Sequence, residues 1–142
     1  MYAPDSQVAT TPLSRSRAIA LSRRFLGPIW LRFGLTALLT VPGRRTGTAR
    51  RVALLPIEVA GTTYLLSQYG VSDWVRNLRA AGRGELRRKG RATACTAIEV
   101  DGLERDRVIA AFHAKVPKQF TSDFDQRPDA ADHPTFRVEP IS

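Results

Sequence analysis

Apolar residues recur at three- and four-residue steps near the start of the chain. After Pro12, with Ser14 placed to cap, Ala18, Leu21, Phe25, Ile29 and Phe33 mark one face of a helix. Arg15, Arg17, Arg23 and Arg24 interleave with that face, and Gly27-Pro28 breaks the helix into two pieces. Residues 1–12 carry no such period and are expected to be disordered. From Leu35 the texture changes to strands. Leu35–Val41 is β-rich and stops at Pro42-Gly43; a basic turn leads into a second strand over Arg50–Val59. Ala60-Gly61-Thr62 then turns tightly into a third strand, Thr63–Gln68.

Ser72-Asp73 offers N-cap chemistry for a helix from Trp74 to Ala81, and Gly82 is its natural stop. Glu85–Lys89 and Arg91–Val100 form a further hairpin around Gly90. A second helix, Arg105–Lys115, sets Val108, Ile109 and Phe112 on its apolar face, and after an irregular segment Thr135–Glu139 reads as a short strand. Consecutive strands joined by tight turns cannot be parallel neighbours, which need long crossovers. The expected fold is therefore α+β: a six-stranded, mostly antiparallel and partly open barrel with an N-terminal helix and two further helices. One domain over residues 13–142 accounts for a chain of 142 residues.

Charge changes this picture. The formal net charge is +9, and residues 1–98 carry 16 Lys/Arg against 4 Asp/Glu, whereas residues 99–142 carry 6 against 9. Of the 22 basic residues 19 are arginine, whose planar fork grips phosphate and carboxylate oxygens in pairs. A compositional bias towards arginine would give the same count, and charge alone fits nucleic acid, anionic lipid or an anionic cofactor equally well.

Conventional catalytic machinery is scarce. Cys95 stands alone in an alternating strand pattern and reads as a buried thiol; with His113 and His133 it makes no metal centre. Neither histidine has an evident serine or cysteine partner, and Asp123, Asp125, Asp129 and Asp132 read as solvated loop residues. No metal site is expected. A redox cofactor brings its own chemistry and needs mainly positioning, which suits such a chain. No GxGxxG or Walker loop is present.

Two segments stand out. In Gly43-Arg44-Arg45-Thr46-Gly47-Thr48-Ala49-Arg50-Arg51 two glycines allow tight turning among four arginines, a combination that suits an anion nest and equally a solvated hairpin turn. In Trp74-Val75-Arg76-Asn77-Leu78, Trp74 and Leu78 share an inward face and Asn77 lies at its edge, where a buried amide needs partners: a backbone loop or a cofactor hydroxyl.

Together, in this order and with a hairpin between them, the two segments resemble the deazaflavin-dependent nitroreductase family, whose signature reads Gly-Arg-x-Ser/Thr-Gly-x-x-Arg followed by Trp-x-x-Asn-Leu. The similarity runs from about Leu35 to Val100, with a final strand at Phe136–Pro140. The resemblance implies a split β-barrel related to flavin-binding proteins. It also implies coenzyme F-420, an 8-hydroxy-5-deazaflavin with a phosphodiester and an oligoglutamate tail, as donor to quinones, nitroaromatics and other activated acceptors. It would set Arg44, Arg45, Thr46, Gly47 and Arg50 around the phosphate and tail, with Arg51, Val52, Ala53 and Leu54 alongside. Ser67, Gln68, Tyr69 and Gly70 would meet the ring, and Trp74 and Asn77 would buttress that loop. In the hydride transfer expected on that basis, the proton would come from solvent or from the hydroxyl of Ser67 or Tyr69.

The chain departs from the family in two places. Ala53 stands where relatives often have proline, and Phe120 and Phe124 take the acceptor side where nitro-reducing relatives carry tyrosines. Phenyl rings lack hydroxyl donors, which favours an apolar, quinone-like acceptor over a nitroimidazole.

FMN in the same barrel is the alternative cofactor. A nucleic-acid module is not expected, because the Arg83–Arg91 hairpin has no aromatic for stacking. The first twelve residues lack the apolar run of a signal peptide, and the stretch from Phe25 to Val41 is too interrupted for a spanning helix of about 20 apolar residues. A cytoplasmic protein follows as the expectation, with peripheral membrane contact through the basic N-terminal helix left open. A monomer and a homodimer stay open as well.

Overall fold

A computed structural model describes residues 36–141; the expected N-terminal helix and disordered start lie outside them. Seven strands form one antiparallel sheet: β1 (Ala37–Pro42), β2 (Ala49–Leu54), β3 (Ile57–Val59), β4 (Thr62–Leu66), β5 (Arg83–Arg88), β6 (Arg91–Val100) and β7 (Thr135–Pro140). Three helices accompany them: α1 (Asp73–Ala81), α2 (Gly102–Lys115) and the single turn α3 (Ser122–Asp125).

The strand order is β2-β1-β5-β6-β7-β4-β3. The expected count of six is thus corrected to seven, because the run Arg50–Val59 is two strands. Pro56 is buried and has no N–H to give a ladder, and the chain bends at Leu55-Pro56. The bend has a topological consequence. The first half of the run pairs with β1 and the second half with β4, so the two edges of the sheet are only two residues apart along the chain and the sheet curls towards a barrel.

Hairpin chemistry follows the residues. Ala60 (φ 51°) and Gly61 (φ 83°) turn β3 into β4, and Lys89 (φ 50°) and Gly90 (φ 79°) turn β5 into β6, the paired positive angles that match strand twist.

Alternation places Ala37, Leu39 and Val41 of β1 inside, with Leu65, Leu86, Cys95, Phe136 and Val138 from the neighbouring strands. Helix α1 closes this core with Trp74, Val75 and Leu78; the Trp74 and Phe136 rings lie 5.9 Å apart. Cys95 is buried, as its alternating strand pattern predicts, and burial pushes its thiol up. A second core lies between α2 and strands β3 and β4, built on Ile57, Tyr64, Val108, Phe112 and Phe124.

Tyr64 also ties this second core to charge. Its hydroxyl donates to Glu104 Oε2 at 2.7 Å, and Arg137 Nη1 donates to the same oxygen at 2.8 Å. Burial first and the Glu104 carboxylate second push the phenol up; the Tyr64 hydroxyl first and Arg137 second hold Glu104 down. A carboxylate whose folded pKa is depressed contributes stability that is present above its unfolded pKa and lost as pH falls through the folded value. The Tm gap between the native protein and Glu104→Gln should therefore be fully open above the unfolded glutamate value of about 4.3 and narrow as pH falls below it. A gap independent of pH would assign the effect to packing alone.

Candidate cofactor-binding site

Gly43–Thr48 is the loop of the β1–β2 hairpin. The Gly43 N–H donates to Thr48 O at 2.8 Å and the Gly47 N–H to Gly43 O at 2.9 Å, which closes the turn on itself. A Cβ on Gly43 would stand 3.1 Å from Thr48 O, a tight fit, and Gly47 has φ +78°, the left-handed region that favours glycine. The Thr46 hydroxyl accepts from Thr48 N–H at 3.2 Å and holds the crown of the turn.

Asn77 joins the two sequence motifs. Its side chain is buried, and Oδ1 accepts from the Arg44 backbone N–H at 3.1 Å and from Arg44 Nη1 at 2.8 Å. Arg44 Nη2 also lies 3.6 Å from Asp73 Oδ1, which Arg76 shares at the same distance. Asn77 therefore anchors the basic turn to α1. Arg45, Arg50 and Arg51 are exposed and make no ion pair or side-chain hydrogen bond among the described residues. Along β2 the side chains alternate: Val52 and Leu54 pack against the barrel core, Arg51 and Ala53 face outwards, and Arg50 falls on the Val52 side.

The helix α1 begins beside this turn. Its first N–H groups have no partner within the helix, so its N-terminus favours an anion. Ser72 occupies the N-cap with extended backbone, yet its hydroxyl makes no capping bond, contrary to the sequence expectation. Ser72 Oγ is instead a buried polar atom without a hydrogen-bond partner among the described residues. An orphaned hydroxyl, an uncapped helix start and unpaired arginines on the adjoining turn fit a phosphate with further carboxylates. The other end of α1 is as expected, with Gly82 (φ 68°) donating its N–H to Leu78 O at 2.8 Å.

Ser67–Gly70 leads directly into that helix start. Ser67 is buried; its N–H donates to Pro134 O at 2.9 Å and its hydroxyl to Gly70 O at 2.5 Å, so the hydroxyl proton is spent on the loop itself. Gln68 and Tyr69 are half-buried, and Gly70 is buried with φ +81°.

His133, read from sequence as a loop residue without a partner, is fully buried behind this loop. Its Nδ1 lies 2.9 Å from Ser67 O and its Nε2 2.5 Å from Arg127 O. The position of His133 before Pro134 and the opening of the last strand was the available signal, but its partners are 66 and 6 residues away in sequence. Phe124 stacks on the His133 ring with centroids 3.6 Å apart and on Phe112 at 4.9 Å, so it belongs to the core; Phe120 is half-buried at the same end. Two hollows of about 270 and 250 Å3 lie elsewhere, one by His113 and Lys118, the other between β5, β6 and β7; neither includes the basic turn or Ser67–Gly70.

Comparison with known proteins bears on this site. No curated protein matches the chain. Among solved structures, an F-420-H2-dependent reductase is similar with a TM-score of 0.60 at 23% identity, over 74% of this chain and 94% of that one. A heme storage protein from Vibrio cholerae is similar with a TM-score of 0.59 at 14% identity, over 82% and 89%. A domain-swapped dimer follows with a TM-score of 0.58 at 19% identity, over 86% and 99%. At such identities these likenesses show the fold alone. The family match reaches further and favours coenzyme F-420 over FMN. Over residues 14–129, more than half of its length, the sequence matches the F420H2-dependent quinone reductase family, and the chain belongs to that family.

Proposed function

We propose that the protein is an oxidoreductase that uses reduced coenzyme F-420 to reduce a quinone, with nitroaromatics and similar activated compounds as further acceptors. The observation that carries this is the Asn77 bridge: two bonds from one buried amide hold Arg44 and its turn against the α1 N-terminus, while Arg45 and Arg50 stay unpaired. The reduced deazaflavin supplies a hydride at its C5. The chain supplies orientation and exclusion of water.

Arg44, Arg45, Thr46, Gly47 and Arg50 would hold phosphate and tail, with the β2 backbone from Arg51 to Leu54 alongside. Ser67–Gly70 would lie against the ring by backbone contacts. Of the two hydroxyls that this loop offers for protonating a reduced acceptor, Ser67 and Tyr69, that of Ser67 is directed at Gly70 O. Phe120, half-buried and without a hydroxyl, suits an apolar acceptor. The likeness to a domain-swapped dimer supports a homodimer over a monomer.

The test is a titration of the purified protein with F-420 and FMN by fluorescence quenching, followed by stopped-flow oxidation of reduced F-420 by menadione. Saturable quenching by F-420 and faster oxidation with protein present are expected. Tight FMN binding with no response to F-420 would overturn the assignment, and F-420 binding without acceleration by any quinone or nitroaromatic would make the protein a carrier.

A further inference from the structure

One cation near the candidate site has no role in the reading above. Arg127 is half-buried, and its guanidinium makes no ion pair or side-chain hydrogen bond among the described residues. It lies over Gly70: a Cβ built there would come 3.5 Å from Arg127 Nε and 3.8 Å from Cδ. The Arg127 backbone is fixed on both sides, its N–H donating to Phe124 O at 3.0 Å and its carbonyl facing His133 Nε2 at 2.5 Å. The stacked Phe124 and His133 rings hold that frame in the core. An arginine with a rigid backbone and a head unpaired among the described residues, set against a left-handed glycine, is placed to offer charge to a ligand.

The position sets it apart from the other free arginines. The basic turn meets α1 at Asp73 and Asn77, whereas Arg127 meets the chain at Gly70, before the helix begins. On the F-420 reading, Gly70 belongs to the segment that meets the ring, not the tail.

The ring itself carries an anionic form. An 8-hydroxy-5-deazaflavin is a vinylogous acid: loss of the 8-hydroxyl proton spreads negative charge through the fused rings to the pyrimidine carbonyl. A guanidinium nearby favours that charged form. We propose that Arg127 is a binding residue for the ring end of the cofactor and selects its anionic form, while Arg45 and Arg50 serve the phosphate and glutamates. This rests on the F-420 reading.

The experiment compares the full chain with Arg127→Met and Arg127→Lys. Two ligands are titrated by fluorescence quenching: F-420 and its riboside, which keeps the ring and lacks phosphate and glutamates. The absorbance of each bound ring is then followed against pH. Arg127→Met should weaken both ligands by about tenfold, the worth of one charge-assisted hydrogen bond. The pH midpoint of the bound ring should rise by about one unit, and Arg127→Lys, which keeps the charge, should recover part of that shift.

An unmoved midpoint with unchanged riboside affinity overturns the inference. So does a loss confined to F-420, which would assign Arg127 to the tail, or a fall in Tm with the midpoint unmoved, which would make the residue structural. If the native protein binds neither ligand, the F-420 reading fails and the inference with it; if it binds both and Arg127→Met changes nothing, only the inference fails.

Discussion

Replacing Arg45 and Arg50 together with glutamate should lower the affinity for F-420 about a thousandfold, or roughly 4 kcal/mol, and leave Tm near that of the native protein. Neither side chain contributes an ion pair or hydrogen bond to the fold among the described residues, so nothing structural is lost with them. Each reversal removes an attraction for a polyanion and adds a repulsion, and like charges set against one another at a binding surface cost several kcal/mol. Arg44 is deliberately spared: its side chain is bound to Asn77 and lies beside Asp73, and its loss would loosen the turn as well as change the charge. Because these cations are exposed, native affinity should also fall as salt rises, and the reversed variant should lose most of that dependence. Equilibrium titration at two ionic strengths measures both. An affinity within about threefold of native would show that this turn does not hold the acidic tail.

The largest effect on stability is expected at His133. Its replacement by alanine removes the ring stacked at 3.6 Å on Phe124 and the ring nitrogens that face the carbonyls of Ser67 and Arg127. A cavity in a packed core and the loss of the ring N–H to one of these carbonyls together cost about 3–5 kcal/mol. For a domain of this size that is a fall in Tm of roughly 10–17 °C. The damage should be polarised: Ser67–Gly70 and the segment from Lys118 to Pro134 lose their common tie, so limited proteolysis should begin there while the β1–β2 and β5–β6 hairpins stay protected. A Tm within about 2 °C of native would mean that water replaces the ring at no cost and that the clamp is incidental.

Much of the fold was legible because its signals are local. Positive φ angles at Ala60-Gly61 and Lys89-Gly90, the left-handed Gly82 and the inward alternation of Ala37, Leu39 and Val41 are all fixed by residues within a few positions of one another. The error in strand count was local in origin and distant in meaning. Pro56 is visible in the sequence, but only pairing with β4 rather than β1 shows that the bend at this proline carries the chain from one edge of the sheet to the other.

The site divides in the same way. The two motifs could be found by spacing, and so could the arginines, but the amide of Asn77 bonding Arg44 across 33 residues could not. The uncapped Ser72 hydroxyl and the Ser67 hydroxyl turned onto Gly70 were equally hidden, since a serine's partner is chosen by the packing around it. Phe124 was read as part of an acceptor surface, yet its ring stacks on Phe112 and His133 in the core.

By itself, then, the order of residues determined the strands, turns, helices and the concentration of positive charge at one hairpin, because each depends on backbone preference and period over short range. Tertiary structure alone decided that the hairpin is pinned to α1 by a buried amide, that His133 ties Ser67 to Arg127, and that Arg127 lies over Gly70. Those contacts join groups far apart in the chain. Their energies come from burial and from satisfying polar atoms in a particular enclosure, which exists only once the sheet has curled and the helices have closed upon it.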